Sequence, residues 1–195
     1  MAIKKKKKVV KKVVEKGKRQ KSSNSITVDK DERQTPKLLV ENLEAALEIY
    51  FNLDAAATGR NKKAKKFISK RQDALSISWN DDGKKKYVFC NPPYSIKAGG
   101  IGAWLEKGIN EINAGRVHLV AFLITQDSGV KWHADYSGKC AEIWEVFPRI
   151  KFVHPDIEEK AGANFSSSIF IYKKGFMNVQ PVVRLWDWQT GKFIW

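Results

Sequence analysis

The stretch YVFCNPPY, residues 87–94, decides the fold. Its first four residues are apolar, and a short, continuously apolar run is typical of a strand buried on both faces of a sheet. Asn-Pro and Pro-Pro are typical turn sequences, so we expect the strand to end at Cys90. The two prolines restrict the backbone of the turn. The sequence therefore predicts a loop of fixed shape at the carboxyl end of a buried strand.

The residues on either side of this loop predict further helices and strands. Residues 101–112 carry apolar side chains at helical spacing, and residues 117–124 form a continuous apolar run typical of a buried strand. Upstream, Thr35-Pro36 precedes an amphipathic segment that ends near Ile49. We expect Thr35 to cap this helix and Pro36 to occupy its first position. Residues 51–54 predict a short buried strand that ends in the carboxylate of Asp54.

The alternation of strands and helices predicts an α/β fold with a doubly wound, mostly parallel sheet and an antiparallel hairpin at its C-terminal edge. In such sheets, ligands bind beyond the carboxyl ends of the strands, where both Asp54 and Asn91 are expected. The remaining predicted elements are a loop or short surface helix at residues 55–70, a helix near residues 132–139, a strand pair at residues 143–147 and 150–153, and a last strand at residues 168–172.

The chain carries a formal charge of +15, and most of this charge lies at the N-terminus. Residues 1–21 contain 11 Lys and Arg against one Glu, so this segment carries +10. We interpret residues 1–30 as a basic disordered tail and linker, residues 31–178 as one folded domain and residues 179–195 as a C-terminal extension. The positive charge favours a polyanionic partner such as nucleic acid.

Several classes of protein do not fit this sequence. No apolar run approaches the roughly 20 residues that span a bilayer, and the N-terminus lacks the apolar stretch of a signal peptide. We therefore expect a cytoplasmic protein without membrane association. The cysteines, Cys90 and Cys140, and the three histidines lack metal-ligand spacing, so neither a metal site nor a disulfide framework is expected. Both cysteines are predicted to be reduced and buried.

The Asn-Pro-Pro-Tyr loop suits chemistry on an amino group that is conjugated to an aromatic ring. Such a nitrogen is a poor nucleophile because its lone pair is delocalised. The side-chain oxygen of Asn91 and the carbonyl oxygen of Pro92 can each accept one N–H, which favours a pyramidal nitrogen with a localised lone pair. Pro92 and Pro93 hold these acceptors in place, and Tyr94 offers a flat face on which a base can stack.

These residues resemble the phage-type DNA N6-adenine methyltransferases, often called Dam-like. The resemblance runs from about Gln34 to Tyr172 and includes the order and spacing of the motifs. One departure from many amino-methyltransferases is Asp-Ala-Ala-Ala, rather than a glycine-rich turn, after the first strand, a variant common in the Dam-like family. The matching motifs are Thr35-Pro36, Leu53-Asp54-Ala55-Ala56-Ala57, Asp73-Ala74-Leu75, Asn91-Pro92-Pro93-Tyr94-Ser95, Ile101-Gly102-Ala103-Trp104, Lys131-Trp132-His133 and Arg149-Ile150-Lys151-Phe152.

The resemblance implies a Rossmann-like catalytic domain at residues 31–178 that transfers a methyl group from S-adenosyl-L-methionine to N6 of a flipped or unpaired adenine in DNA. It implies that Asp54 holds the methionine ammonium of the cofactor, that Asp73 meets its adenine, and that Thr35-Pro36 closes over its methionine end. The implied catalytic residues are Asn91, Pro92, Pro93 and Tyr94. The implied cofactor contacts are Thr35, Pro36, Asp54, Ala55, Asp73 and Asn91, and the implied nucleic-acid contacts are Tyr94, Ser95, Lys97, Trp132 and His133.

Other substrates share this chemistry. Asn-Pro-Pro-Tyr also occurs in methyltransferases that act on adenine in RNA and on glutamine side chains in proteins. A nucleic-acid-binding protein that has lost catalysis is a further alternative. The chain has no insertion large enough for a target-recognition domain, so we expect a short or relaxed sequence preference. Residues 95–100 and 154–165 are the loops that would contact the target sequence.

Overall fold

The computed structural model describes residues 34–152, 165–176 and 180–195. The predicted tail and linker at residues 1–30, the domain start near residue 31 and nearly all of the loop at residues 154–165 lie outside the described residues. In chain order the elements are α1 (Lys37–Leu47), β1 (Leu53–Asp54), β2 (Lys66–Phe67), β3 (Tyr87–Cys90), α2 (Gly100–Asn113), β4 (Leu119–Thr125), α3 (Lys131–Tyr136), β5 (Glu142–Phe147), β6 (Ser167–Lys173), β7 (Val182–Asp187) and β8 (Lys192–Phe193), with 3-10 turns at Ile96–Ala98 and Ser137–Lys139.

The strands form one mixed sheet in the order β2-β1-β3-β4-β6-β5-β7-β8. Neighbours are parallel from β2 to β4 and between β5 and β7, and antiparallel on both sides of β6 and between β7 and β8. Within the described residues, β6 and β8 therefore run against the other strands. The predicted α/β class is confirmed. The segment interpreted as a C-terminal extension contributes β7 and β8 to the same sheet.

Alternating residues of the central strands face two separate hydrophobic cores. In β4, one set of side chains faces the core that α2 and α3 cover, and the other set faces the core that α1 covers. The first set is Val120, Phe122 and Ile124, and the second is Leu119, Ala121 and Leu123. A strand that is buried on both faces must be continuously apolar, which explains the apolar run in the sequence. Helices therefore cover both faces of the sheet.

The predicted strand at residues 150–153 is wrong for the part that the structure describes. Residues 150–152 form no strand, although Ile150 and Phe152 are buried in the core beneath α1. Both edges of β5 are already occupied, by β6 on one side and β7 on the other. The carbonyl oxygen of Pro148 instead accepts a hydrogen bond from the indole of Trp188 at 2.8 Å. The antiparallel partner of β5 is therefore β6, about twenty residues later in the chain.

Two further expectations about the N-terminal half need correction. α1 begins at Lys37, its N-cap is Pro36, and Thr35 makes no capping hydrogen bond. The predicted surface loop at residues 55–70 contains β2, which pairs with β1 in parallel. β2 is two residues long and not fully buried, so it leaves no apolar run in the sequence. The other predicted helices and strands are present, with ends shifted by a few residues.

A buried carboxylate joins α2 to the loop before β3. Glu111 has no exposed surface, and its carboxylate forms ion pairs with Lys107 and Arg116, both at 2.7 Å. It also accepts the backbone N–H of Trp79 at 3.2 Å. Burial raises the pKa of Glu111, but the hydrogen bonds from Arg116, Lys107 and Trp79 outweigh it, and the net shift is downward. Glu111 therefore stabilises the fold in its ionised form.

We expect Glu111→Gln to lower the free energy of unfolding by about 1.5–3 kcal/mol at neutral pH, the range for hydrogen bonds to charged groups. Because its folded pKa is depressed, the contribution of Glu111 is present above its unfolded pKa of about 4.3 and is lost as pH falls through the folded value. The free energies of unfolding of the unmodified protein and of Glu111→Gln, measured with urea, should therefore become equal at acidic pH. Exposed Glu106 on the same helix provides the control, and an equal loss in Glu106→Gln would contradict this role.

Candidate active site

The parallel pairing of β1 with β3 brings two predicted site residues to one edge of the sheet. Asp54 pairs with Phe89 in the register of the two strands, and Ala55 donates its N–H to the carbonyl of Phe89 at 2.9 Å. Asn91 follows two residues after Phe89, immediately beyond the end of β3. Asp54 at the end of β1 and the Asn-Pro-Pro-Tyr loop after β3 therefore lie next to each other, at the carboxyl edge of the parallel strands.

A hydrogen bond between Asn91 and Thr35 fixes the orientation of the Asn91 side chain. Nδ2 of Asn91 donates to Oγ1 of Thr35 at 3.1 Å, and Thr35 is only 4% exposed. Oδ1 of Asn91 accepts no hydrogen bond from the described residues. One N–H of the side-chain amide is therefore engaged, and its oxygen is available to a donor. Thr35 stands before α1, so this bond joins the start of the described domain to the Asn-Pro-Pro-Tyr loop.

The carboxylate of Asp54 is buried and lacks an ion-pair partner within the described part of the chain. Only 3% of the residue is exposed. Its two oxygens accept the backbone N–H groups of Ala56 at 3.2 Å and Lys63 at 2.9 Å. Burial raises the pKa of Asp54 to about 6, although these two hydrogen bonds and the charge of Lys63 lower it. A carboxylate has lone pairs for about four donors, so this group can still accept hydrogen bonds from a small cation.

Tyr94 lies with its hydroxyl group pointing into the protein. The ring packs against the core beneath α2 and meets the ring of Phe165 edge to face, with centroids 6.1 Å apart. The hydroxyl oxygen is enclosed and has no hydrogen-bond partner among the residues that the structure describes. Burial raises the pKa of this hydroxyl. The polar end of Tyr94 is therefore held inside the protein, and only part of its ring borders the catalytic edge.

The remaining residues of the loop form its outer rim. Pro92 is buried and Pro93 half-buried, whereas Ser95 and Lys97 are exposed. The 3-10 turn that contains Lys97 is fixed to α2, because the indole of Trp104 donates to the carbonyl of Ala98 at 2.9 Å. The structure therefore places Pro92 inside the protein, and it places Ser95 and Lys97, two of the five predicted nucleic-acid contacts, on the solvent side of the same loop.

Asp73 organises a tight turn on the surface. It is an exposed residue with φ of 54°, its carboxylate accepts the N–H of Leu75 at 3.2 Å, and its carbonyl accepts the N–H of Ser76 at 3.0 Å. Leu75 in this turn packs closely against Gly99 in the loop of residues 95–100. Any larger residue at position 99 would place its Cβ only 2.8 Å from Leu75 Cδ1. The predicted contact of Asp73 with cofactor adenine stays a prediction beside this local structural role.

Trp132 and His133 lie on α3, where the structure shows them packed together. Their ring centroids are 5.8 Å apart, and both rings meet Phe170 of β6, at 6.0 Å and 5.5 Å. Both residues are half-buried. Their predicted contact with nucleic acid stays a prediction, and their visible role is to seat α3 on the sheet.

Within the described residues, no group of three or more His, Cys, Asp and Glu side chains is placed to hold a metal ion. Cys90 and Cys140 are free and buried, as the sequence predicts. No helix in this part of the chain is long and apolar enough to cross a membrane.

Within the described residues, the α/β sheet thus brings an Asn-Pro-Pro-Tyr loop and a buried carboxylate to neighbouring strand ends. A sequence family described as DNA N-6-adenine-methyltransferase (Dam) matches residues 22–192, most of the chain. The chain belongs to this family. The resemblance noted in the sequence is thereby confirmed.

Two curated phage proteins are similar to this chain. The DNA N-6-adenine-methyltransferase of Escherichia phage T1 is 31% identical over 127 residues, which are 65% of this chain and 49% of that protein. The DNA N-6-adenine-methyltransferase of Haemophilus phage HP1 (strain HP1c1) is 29% identical over 145 residues, 73% of this chain and 78% of that protein. The aligned region thus spans about half the length of the T1 relative.

The enclosed hydroxyl of Tyr94 leads to a stability prediction. We expect Tyr94→Phe to raise the free energy of unfolding by about 1 kcal/mol, because the substitution removes a buried polar group that has no partner in the described part of the chain. Differential scanning calorimetry should show a Tm higher by roughly 2–4 °C. Tyr172→Phe is the matched control, since the Tyr172 hydroxyl donates to the Tyr136 carbonyl at 3.0 Å and its loss should lower the Tm. A fall in Tm for both variants would show that Tyr94 has a partner.

Proposed function

We propose that this protein transfers a methyl group from S-adenosyl-L-methionine to the exocyclic N6 of adenine in DNA, on a Rossmann-like methyltransferase fold and with little or short sequence specificity. The observation that carries the proposal is the hydrogen bond from Asn91 to Thr35. It leaves the side-chain oxygen of Asn91 available at the carboxyl edge of the sheet, where an amino group can donate to it. The family and the names of the two phage relatives support adenine in DNA as the substrate.

The chemistry follows from the acceptors of the loop. The Asn91 side-chain oxygen and the Pro92 carbonyl each accept one N–H of the target amine, so the lone pair of the nitrogen is localised and faces away from them. The nitrogen carries positive charge after it is methylated, and it then loses a proton to solvent, so no strong base is required. Since N6 is paired inside a duplex, the adenine must leave the stack or be unpaired, and the exposed part of the Tyr94 ring is the surface for it to contact.

The residues at the edge fit the proposed cofactor. S-Adenosyl-L-methionine supplies an electrophilic methyl group on a sulfonium, and its methionine end carries an ammonium. The buried Asp54 carboxylate, which has no ion pair among the described residues, is the group suited to hold that ammonium. Ala55 follows it directly, and its small side chain is fully buried in the core beneath α2. Thr35 and Pro36 border the same edge through the bond to Asn91.

The proposal is tested with purified full-length protein, labelled S-adenosyl-L-methionine and unmethylated DNA. We expect label to enter DNA and nucleoside mass spectrometry to show N6-methyladenine. Asn91→Ala should abolish transfer because it removes a hydrogen-bond acceptor for the target amine. Matched reactions with RNA and with protein substrates test the two alternative substrates. Label in RNA or protein with none in DNA would overturn the proposal, as would the absence of label in every substrate.

Two substitutions at Thr35 belong to the same experiment. They distinguish the loss of Asn91 orientation from a general loss of folding. Thr35→Val keeps the shape but removes the oxygen that accepts from Asn91, so kcat should fall by on the order of tenfold or more while the protein stays folded. Thr35→Ser keeps the oxygen and should retain most of the transfer rate. Equal activity in Thr35→Val and Thr35→Ser would show that this hydrogen bond does not orient the amide.

The raised pKa of Asp54 predicts the pH dependence of cofactor binding. The ionised carboxylate attracts an ammonium, and Asp54 is mostly ionised only above pH about 6. Isothermal titration calorimetry should therefore show affinity for S-adenosyl-L-methionine falling as pH is lowered from 7 to 5, by up to about tenfold per pH unit below the pKa. Asp54→Asn should bind weakly at every pH in this range. An affinity that is constant between these pH values would rule out Asp54 as the ammonium ligand.

A further inference from the structure

Positive charge in the folded part of the chain is concentrated in one segment. Residues 55–72, which we call the cationic loop, contain seven Lys and Arg and no Asp or Glu. Residues 1–21 carry +10 and the cationic loop carries +7 of the chain's total of +15, so all other residues together carry −2. The other 18 Lys and Arg are outnumbered by 20 Asp and Glu, so beyond residues 1–21 the net positive charge lies in this loop.

The cationic loop is attached to the candidate active site. It begins directly after Asp54, and its strand β2 pairs with β1. The backbone N–H of Lys63 donates to the Asp54 carboxylate at 2.9 Å, and that of Ile68 donates to the Asp54 carbonyl at 2.9 Å. The loop thus lies at the same carboxyl edge as the Asn-Pro-Pro-Tyr loop, where a target base would enter.

Hydrogen bonds hold the cationic loop in a defined shape. In its first half, Lys62 donates its N–H to the carbonyl of Thr58 at 3.1 Å, and the Asn61 side chain accepts the N–H of Thr58 at 2.6 Å. In its second half, the side chain of Gln72 accepts both the N–H and the hydroxyl of Ser69, at 3.0 and 2.9 Å. The cationic side chains therefore project from a preorganised backbone, which lowers the entropy cost of ordering them on a ligand.

Most cations of the loop are available to a partner. Lys66 is engaged by Asp81 and Asp82 at 3.2 and 2.9 Å, and half-buried Lys63 lies near Asp54. The other five are exposed and form no ion pair with the described residues: Arg60, Lys62, Lys65, Lys70 and Arg71. Of these, Lys62 lies over the ring of Phe67, with 5.2 Å between its Nζ and the ring centroid.

A second basic region lies at the opposite edge of the sheet and serves as a comparison. Lys85, Lys173, Lys174 and Arg184 line a cleft near the amino ends of β3 and β4. Three of the cations lie over aromatic rings: Lys85 over Tyr87, Lys173 over Phe176 and Arg184 over Phe193. Arg184 is also paired with Glu142. This cleft is at the wrong end of the strands to contact DNA whose adenine reaches Asn91.

We propose that the cationic loop is the main surface of the folded domain that binds the phosphate backbone of DNA around the target adenine. This inference rests on the proposed function for the choice of DNA as the polyanion. Contacts with phosphates position a protein on the duplex and carry no sequence information directly. Such a surface fits a chain without an inserted target-recognition domain, because it supplies affinity and orientation while leaving sequence preference short or relaxed.

The test measures binding of a fluorescent, unmethylated DNA duplex to full-length protein over a range of salt concentrations, without cofactor. A loop variant carries Arg60→Gln, Lys62→Gln and Lys65→Gln. A control variant carries Lys85→Gln, Lys173→Gln and Lys174→Gln, which removes the same charge from the opposite edge. Each phosphate contact contributes about 0.9 to the slope of log affinity against log salt, so the loop variant should lose about 2–3 from that slope and bind roughly tenfold or more weakly. The control should keep the slope of the unmodified protein.

A third variant is a control for structural damage caused by substitution at these positions. Arg60→Lys with Lys62→Arg and Lys65→Arg keeps every charge, so it should bind DNA like the unmodified protein, because counterion release depends on charge. Circular dichroism confirms that all variants are folded. An unchanged slope in the loop variant, an equal loss in the control variant, or a loss in the charge-preserving variant overturns the inference.

Binding and methyl transfer separate the two proposals. Loop-dependent DNA binding without methyl transfer to DNA refutes the proposed function alone and leaves the loop as a nucleic-acid surface. Methyl transfer to DNA with binding that is insensitive to the loop substitutions refutes the loop inference alone.

Discussion

The parallel pairing of β1 with β3 is the interaction on which the rest of the site depends. It is a short pairing, but the bond from Ala55 to Phe89 extends it to the point where both strands end. That register places a buried carboxylate beside an amide-bearing loop. A shift by one residue would turn Asp54 to the other face of the sheet, because side chains alternate along a strand. Two hydrophobic cores, one on each face, make such a shift costly, so the packing of the helices maintains the geometry of the edge.

Three segments far apart in the chain converge on this edge, and each contributes a different kind of group. The segment before α1 supplies a hydroxyl that orients Asn91, the last residue of β1 supplies a carboxylate, and the loop after β3 supplies neutral acceptors. These groups are far apart in the sequence and lie close together only because the chain is folded. The division matches the proposed reaction, in which a cationic cofactor and a neutral amine must be held side by side by different groups.

Much of this could be predicted from local pattern, and the rest depends on long-range pairing. β3, α2 and β4 were evident because their residues are buried and either continuously apolar or at helical spacing. β2 left no such pattern, since Lys66 is exposed and Phe67 only half-buried. The position of β6 between β4 and β5 is a choice among strand partners that the sequence does not specify locally. The role of Thr35 was assigned to a helix cap because a cap is a local signal, whereas its bond to Asn91 spans 56 residues.

The burial of Asp54 connects the carboxylate proposed to hold the cofactor with the cationic loop proposed to bind DNA. Its carboxylate is held by the backbone of Lys63, which belongs to the segment that carries the exposed cations. A ligand that binds this carboxylate shares it with that backbone or displaces it, so the proposed cofactor ammonium and the proposed phosphate contacts meet at one hydrogen bond. We expect binding at one place to alter the free energy of binding at the other, and thermodynamic linkage makes such an effect equal in both directions. Heterotropic coupling between a small cationic ligand and a polyanion is thus the expected consequence of how one aspartate is buried.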